Sequence, residues 1–288
     1  MSCSLVHQRS FREFPIGRSM SIRCLKPIFQ LTVAWICWGL WLGYIFETKL
    51  EEELWGNKKA ETIEGAICFQ SVSFSYDKQN KSVLYDCNFS INPGECVAIL
   101  GTNGSGKTTI LKLILGFYND YQGRIYFNDS ELHEYNIASL RNRIGIVSQN
   151  IFLFKGSLKE NVKIANFGAS EQDIERAIEL SGCKKIFDNE IGTIKVEEFG
   201  RNLSGGQKQA AAIARCLLKD SDLLLFDEAT THLDEATRTT VLRAINETFV
   251  NKTRIIISHD RDIANMADRI LWLENGKTTF LSTPNLIH

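Results

Sequence analysis

The stretch Gly101-Thr102-Asn103-Gly104-Ser105-Gly106-Lys107-Thr108-Thr109 matches the phosphate-loop pattern G-x-x-x-x-G-K-[ST]. An apolar run, Cys96 to Leu100, precedes it and is short enough to be a buried strand, and Ile110 to Phe117 follows with the leucines and isoleucines of a helix. Glycines let the backbone wrap round an anion, and the helix N-terminus adds partial positive charge. All nine residues are therefore expected to cradle a nucleoside triphosphate, with Lys107 on the β- and γ-phosphates and Thr108 on Mg²⁺.

Composition excludes several other classes of protein. The chain has 288 residues, of which 44% are hydrophobic, so it can bury a core and has room for one large or two small domains. A formal charge of -1 and the lack of a basic patch argue against nucleic acid as a partner. The eight cysteines are scattered, without a zinc-type cluster, and are typical of reduced, mostly buried thiols in a cytosolic domain.

The N-terminal part of the chain has a different character. Residues 1–26 form a basic leader. Residues 27–46 include 19 consecutive uncharged residues, Ile28 to Phe46, which nearly span a hydrocarbon core of about 30 Å and predict a transmembrane helix. A buried or interfacial helix is the alternative, because the tryptophans are spread along the segment, and a cleaved signal peptide is disfavoured because no small-x-small site follows. Residues 47–64 are charged and predict a helical linker, with the soluble domain beginning near Gly65.

The predicted helix poses a problem of orientation. Its preceding lysines and arginines favour a cytoplasmic N-terminus, which would place everything after Phe46 outside the cell, where ATP is scarce. Either the N-terminus lies outside and the helix runs inward, or the segment packs into a larger membrane assembly. The nucleotide motifs outweigh the charge bias and place the following domain on the cytoplasmic side.

Strand and helix patterns continue through the soluble part. Several further strands are predicted, namely Ala66–Tyr76, Gly123–Asn128, Arg143–Ser148, Leu223–Phe226, Arg254–Ser258 and a hairpin of Leu271–Glu274 and Lys277–Leu281 around Asn275-Gly276. Ser170–Ser181 is predicted to be helical, with acidic residues in its first turns.

Two motifs downstream of the phosphate loop carry chemistry. Leu203-Ser204-Gly205-Gly206-Gln207 precedes an alanine-rich helix former, and a Ser-Gly-Gly turn at a helix N-terminus offers N–H groups and a hydroxyl to a γ-phosphate. The apolar run Leu223 to Phe226 ends in two carboxylates: Asp227 can hold Mg²⁺ through water, and Glu228 can orient and deprotonate the attacking water. In this order the motifs resemble the ATP-binding cassette (ABC) family, over about Gly65 to Pro284.

The resemblance implies roles for further residues. His259 matches the switch histidine on the γ-phosphate, so the implied catalytic set is Glu228, His259 and Lys107. Gln149 matches the Q-loop glutamine, which touches Mg²⁺ beside Thr108 and Asp227 and senses the transmembrane partner. Tyr76 falls where the family stacks an aromatic ring on adenine. Asp234 ends Thr231-His232-Leu233-Asp234, where the family usually has Ser-Ala-Leu-Asp, and it joins Ser204, Gly205, Gly206 and Gln207 in the set implied to contact nucleotide.

The same resemblance implies a fold and a transporter class. The fold would be α/β, a phosphate-loop NTPase core of mostly parallel sheet with flanking helices, an antiparallel β subdomain and a helical signature subdomain over 150–218, all within 65–288. The run from Phe154 to Val162 is similar to a sequence of exporter-type cassettes. Val196 to Gly200 resembles the loop that exporters use to touch their coupling helices, although Glu197 stands where glycine is usual. Both favour an exporter over an importer.

The resemblance also implies partners. Two cassettes would dimerise head to tail as a homo- or heterodimer, with each ATP between Lys107 of one and Ser204 to Gln207 of the other. One helix cannot form a translocation path, so a membrane permease on another polypeptide is expected to supply it. The alternatives are a cassette ATPase that works on a soluble macromolecule, as in translation or DNA repair, and an inactive or regulatory transporter fragment.

Overall fold

The computed structural model describes residues 55–77, 82–187, 194–230, 233–258 and 261–281. The basic leader, the predicted membrane segment 27–46, the start of the predicted linker and His259 lie outside the described residues. Within the described ranges, no helix combines the length and the apolarity needed to cross a bilayer.

The described residues form twelve strands and eight α-helices. The strands are β1 (Ile67–Phe74), β2 (Leu84–Ile91), β3 (Cys96–Gly101), β4 (Gln122–Phe127), β5 (Ser130–Glu131), β6 (Ile144–Val147), β7 (Gly156–Ser157), β8 (Lys195–Val196), β9 (Leu223–Asp227), β10 (Thr253–Ile257), β11 (Arg269–Glu274) and β12 (Lys277–Leu281). The helices are α1 (Lys107–Ile114), α2 (Ile137–Asn142), α3 (Leu158–Lys163), α4 (Glu171–Leu180), α5 (Cys183–Ile186), α6 (Gly205–Lys219), α7 (Glu235–Thr248) and α8 (Arg261–Met266).

The central layer is a six-stranded sheet of order β12-β11-β3-β10-β9-β6. All neighbours in it are parallel except β11 and β12, which form the predicted hairpin. Side chains alternate across this sheet, as a strand period of two requires. In β3, Val97 and Ile99 join one apolar cluster with α1, whereas Ala98 and Leu100 join another with α6 and α7. The prediction of a mostly parallel sheet with flanking helices is confirmed.

Two smaller units flank the central sheet. An antiparallel sheet of order β2-β1-β4-β5 packs on the α1 side, and its buried residues share one apolar cluster with that face of the central sheet. A separate apolar cluster of residues between Leu153 and Leu218 joins α3, α4, α5 and α6. The described chain therefore has the antiparallel β part and the helical part that the resemblance implies.

The segment 55–64 differs from the prediction of a charged helical linker. It contains no helix, and Trp55, Ala60 and Ile63 are buried in the same apolar cluster as the central sheet. The peptide groups are used by the domain: the Ala60 N–H donates to Ser139 Oγ at 2.9 Å, and the Ile63 N–H donates to Asp222 Oδ2 at 3.0 Å. For these residues the prediction of a separate helix is wrong, because the apolar side chains between the charges pack on the domain. We call this segment the N-terminal strap.

Candidate functional site

The predicted site residues follow neighbouring strands of the central sheet. Strand β10 lies between β3 and β9 and runs parallel to both, with Ile99 opposite Ile257 and Asp227 opposite Ile257 on the other side. Because parallel strands end at one edge, the phosphate loop after β3 and the carboxylates after β9 meet there. Residues that follow β10 begin at the same edge.

The phosphate loop is closed tightly against the sheet. Gly101 has φ 151°, and a Cβ atom at this position would lie 2.0 Å from the Leu273 carbonyl oxygen of β11, so only glycine fits. Lys107 begins α1, and its Nζ donates to the carbonyl oxygens of Gly101 at 3.0 Å and Thr102 at 2.9 Å. The ammonium group is thus held across the mouth of the loop.

Two polar groups in this loop fit a phosphate. Lys107 is only 6% exposed, and burial lowers the pKa of its ammonium group. The negative charges of Glu228 and Asp227 oppose this lowering. Ser105 Oγ is buried and has no hydrogen-bond partner among the described residues. A buried hydroxyl without a partner and a partly desolvated ammonium both gain from an anion between them. The loop therefore has two groups available for an anion, and the phosphate that it is expected to cradle stays a prediction.

The hydroxyl and carboxylate predicted for Mg²⁺ lie together. Thr108 Oγ1 donates to Asp227 Oδ1 at 3.4 Å. Burial raises the pKa of Asp227, Glu228 raises it further, and the Thr108 hydrogen bond and the lysines oppose the rise. No cluster of three or more His, Cys, Asp or Glu side chains within the described ranges could hold a metal ion. Mg²⁺ does not need one, since it usually binds through one or two carboxylates together with substrate phosphates and water.

Glu228 is held in a strained position beside Gln149. Its φ of 52° lies in the left-handed region, which is uncommon for a residue other than glycine, and its N–H donates to the Ile257 carbonyl oxygen at 3.0 Å. Gln149 Nε2 donates to Glu228 Oε2 at 2.8 Å. The structure thus brings together two side chains 79 residues apart, one predicted to activate water and one to contact Mg²⁺.

Tyr76 contacts the first turn of α1 and is 48% exposed. Its hydroxyl is hydrogen-bonded to Thr109 Oγ1 at 2.9 Å, so the ring is attached to the helix that carries the phosphate loop. An exposed aromatic face next to a phosphate cradle is the arrangement that base stacking needs.

The turn at Ser204 to Gln207 forms the N-terminus of α6. Ser204 Oγ accepts from the Gln207 N–H at 3.2 Å, and Gln207 Oε1 accepts from the Ser204 N–H at 3.0 Å, which is a capping box. A Cβ atom on Gly206 would lie 2.3 Å from Thr237 Cγ2, so α6 and α7 approach closely here. Among the hydrogen bonds of the described residues, none joins this turn to the phosphate loop of the same chain.

Other predicted residues have a local role or lie outside the described residues. Asp234 caps α7, because its side chain accepts from the Thr237 N–H at 3.0 Å, and this hydrogen bond lowers its pKa. Thr231 and His232 belong to the same loop but are not described, and neither is His259. The contacts with nucleotide predicted for Asp234 and His259 stay predictions.

The backbone of the loop from Val196 to Gly200 shows why glutamate is tolerated at position 197, where glycine is usual in the family. Glu197 has φ -77°, which any residue adopts, so glycine is not required there, whereas Gly200 has φ 64°. Phe199 also has a positive φ, 60°, and its side chain is exposed. Its ring lies 5.0 Å from that of Phe152, which lies 4.8 Å from Phe154. These three exposed phenylalanines, 152, 154 and 199, form what we call the aromatic patch.

Sequence reasoning missed two residues beside Tyr76. Lys112 lies on α1 with its ammonium 3.4 Å from the Tyr76 hydroxyl oxygen, and Tyr118 contacts the Tyr76 ring by its edge. A signal for Lys112 was present in the sequence: it follows Thr108 by four residues, and residues at that spacing share a helix face. Phe152 was also missed, because no pattern distinguishes an exposed aromatic residue in a loop from a buried one.

Comparison with known proteins matches this architecture. A family model described as ABC transporter matches residues 84–231. The ATP-dependent lipid A-core flippase of Blochmanniella pennsylvanica (strain BPEN) is 41% identical over 220 residues, 74% of this chain and 37% of the flippase. The mitochondrial iron-sulfur clusters transporter ATM1 of Candida glabrata is 44% identical over 216 residues, 73% of this chain and 29% of the transporter.

A solved structure is similar as well. The structure of a bacterial Atm1-family ABC exporter with ATP bound matches this chain with a TM-score of 0.72 and 31% sequence identity. The match covers 78% of this chain and 40% of the exporter chain. The chain spans at most about two fifths of the length of these three relatives.

Proposed function

This chain belongs to the ABC transporter family, and from that membership and the geometry of its nucleotide site we propose that it is an ATP-binding and ATP-hydrolysing part of an ABC exporter. The observation that carries the proposal is the meeting of the phosphate loop with Asp227, Glu228 and Gln149 at one edge of the central sheet. Relatives named as exporters and flippases support the class of transporter.

Binding of the triphosphate would use groups that have few other partners. The phosphate loop presents Ser105 Oγ and Lys107 Nζ to the phosphates, and Tyr76 presents its exposed face to the base. Thr108, Asp227 and Gln149 would hold Mg²⁺, which when bound neutralises charge on the β- and γ-phosphates. Burial disfavours the charged form of the Asp227 carboxylate when it is alone, so a bound cation would stabilise that form.

Hydrolysis needs a base that is placed beside the γ-phosphate. Glu228 follows Asp227 directly, and its backbone is fixed by the bond to Ile257, so the carboxylate is held at the sheet edge. A carboxylate there would accept a proton from the attacking water. We assign His259 to the γ-phosphate from the family resemblance.

The Ser204 to Gln207 turn is proposed to serve a second copy. It has the capping geometry of a helix N-terminus that can bind an anion, and no hydrogen bond of the described residues joins it to the phosphate loop of its own chain. In a head-to-tail dimer each turn would contact the nucleotide held by the other protomer, so that ATP joins the two. The aromatic patch, whose Phe152 follows Gln149 by three residues, is proposed as the contact for a membrane permease, because exposed phenylalanines gain from burial against an apolar partner.

The full chain in mild detergent tests the proposal. We expect Mg²⁺-dependent ATP hydrolysis, loss of binding in Lys107→Ala, and an ATP-induced shift from monomer to dimer by light scattering when hydrolysis is blocked. A chain that takes up no labelled ATP would refute nucleotide binding, and one that stays monomeric when saturated would refute the dimer.

Fractionation of native membranes tests the transporter part. An exporter component is expected to need detergent for release and to bring a membrane permease with it. Release by salt alone would instead favour an ATPase that works on a soluble target.

A further inference from the structure

The Tyr76 ring is fixed at its edges by two other aromatic rings. Phe74 lies 5.1 Å from it and Tyr118 lies 5.3 Å from it, centroid to centroid, each at an interplanar angle of 82°. Such edge-to-face contacts are favourable for aromatic pairs. With its hydroxyl bonded to Thr109, the ring cannot turn freely, and only its faces remain for other contacts.

The hydroxyl end of the ring is contacted by a cation from the phosphate-loop helix. Lys112 Nζ donates to the Tyr76 hydroxyl oxygen at 3.4 Å and lies 5.3 Å from the centroid of the ring, so the ammonium group stands beside the hydroxyl and not above the middle of a face. Lys112 forms no ion pair among the described residues, so the Tyr76 hydroxyl is the principal contact of its ammonium group. The position follows from helix geometry, since Lys112 lies three residues after Thr109 on the same face of α1.

We propose that Lys112 is a positioning residue for base recognition: together with Thr109 its ammonium holds the Tyr76 hydroxyl, so that the fixed ring presents a face as the stacking surface for the base of a nucleoside triphosphate. The inference rests on the proposed nucleotide site and adds to it a link between base and phosphate recognition. Tyr76 is joined to α1 twice, through Thr109 and through Lys112, and α1 begins at the phosphate-binding Lys107.

A second effect of the same charge must be separated from this one. Burial raises the pKa of Asp227, and the positive charges of Lys112 and Lys107 oppose that rise, so the Lys112 ammonium also acts on the proposed Mg²⁺ site. Loss of the charge could therefore weaken any triphosphate. Loss of the Tyr76 contact should weaken only ligands that carry a base.

The test compares two ligands that share phosphates and differ in the base. Dissociation constants for the hydrolysis-resistant ATP analogue AMP-PNP and for inorganic tripolyphosphate, both with Mg²⁺, are measured by calorimetry on the full chain. Lys112→Met keeps the length of the side chain and removes the charge. Lys184→Met is the matched control, because Lys184 pairs with Glu179 on an exposed surface of the helical part.

In Lys112→Met we expect about fivefold weaker AMP-PNP binding, because the Tyr76 ring is held less firmly, and a smaller loss of tripolyphosphate binding. Lys112→Arg should restore AMP-PNP binding, since a guanidinium can also donate to the Tyr76 hydroxyl. In a Tyr76→Ala background, Lys112→Met should have no further effect on AMP-PNP.

Three results would overturn the inference while leaving the proposed function in place. Equal weakening of both ligands would mean that Lys112 acts on the phosphates through its charge. Tighter AMP-PNP binding in Lys112→Met would mean that the ammonium occupies the face that the base uses. Unchanged binding of both ligands would mean that Lys112 has no part in recognising either the base or the phosphates. Failure of the unmodified chain to bind AMP-PNP would instead refute the proposed function itself.

Discussion

Replacement of Glu228 by glutamine separates binding from hydrolysis more cleanly than any other single change in this site. The glutamine side chain has the same shape and still offers an oxygen to Gln149 Nε2, which donates to Glu228 Oε2 at 2.8 Å in the structure. The backbone bond from residue 228 to the Ile257 carbonyl oxygen is also kept. The substitution therefore removes the proposed proton acceptor and little else.

The expected loss follows from the role of a general base. Such a group typically contributes about 10²–10⁴-fold to a rate, which corresponds to about 3–5 kcal/mol of transition-state stabilisation. We expect Glu228→Gln to lower ATP turnover by at least about tenfold and commonly by more, because water and neighbouring groups replace part of the base. Its affinity for ATP should stay the same or rise slightly, since a negative charge near the phosphates is removed.

Phosphate release under single-turnover conditions and equilibrium binding of labelled ATP measure the two effects separately. Glu179→Gln, a change of the same kind on an exposed helix, is the control and should be neutral. Turnover of Glu228→Gln close to that of the unmodified chain would refute the assignment of the base. Loss of binding together with turnover would show that Glu228 holds the site together instead.

Three further changes test other parts of the structure. The pKa of Asp227 is raised in the folded chain, so its ionisation destabilises the ligand-free protein at neutral pH, and Asp227→Asn should raise the melting temperature at about pH 7. This gain should vanish as the pH falls below about 4, where Asp227 is protonated in the unfolded chain as well. Trp55 is 8% exposed and stacks on His133 with centroids 5.4 Å apart, so Trp55→Ala should cost about 3 kcal/mol and lower the melting temperature by about 6–12 °C, whereas exposed Lys59→Ala should be neutral. Gly206→Ala should lower the free energy of unfolding by about 1–3 kcal/mol and impair ATP-induced dimerisation, because the added Cβ would lie 2.3 Å from Thr237 Cγ2. Thr237→Ser removes that methyl group and should restore both stability and dimerisation in the double variant. A lack of rescue would contradict the packing argument.

Local patterns were sufficient for those parts of the chain in which a short motif determines the backbone. The glycines of the phosphate loop predicted its closure, and the apolar run before Asp227 predicted a buried strand. The Asn275-Gly276 pair predicted the β11–β12 hairpin, and both residues have positive φ in the structure.

The missed features depend on contacts between distant residues. Strand β2 is an exception that was overlooked: Tyr85, Cys87, Phe89 and Ile91 alternate with polar residues, which is a strand pattern that the sequence itself contains. The charged composition of the N-terminal strap suggested a helix, whereas its few apolar residues pack on the domain. Two further contacts depend on how the sheet packs with α1: the hydrogen bond between Gln149 and Glu228, and the position of Lys112 beside Tyr76. A single sequence does not reveal them, because it does not show this packing.

The N-terminal strap has a mechanical consequence. The Ile63 N–H donates to the Asp222 carboxylate, and the Asp222 N–H donates to the Arg143 carbonyl oxygen at 2.9 Å. Asp222 directly precedes β9, and Arg143 directly precedes β6. The opposite ends of the same strands lead to Asp227 and to Gln149. A force applied to the chain at Trp55 would therefore act on β9 and β6, the strands that lead to the residues proposed to bind Mg²⁺ and to sense the permease. A rearrangement at those residues would act on the strap in return.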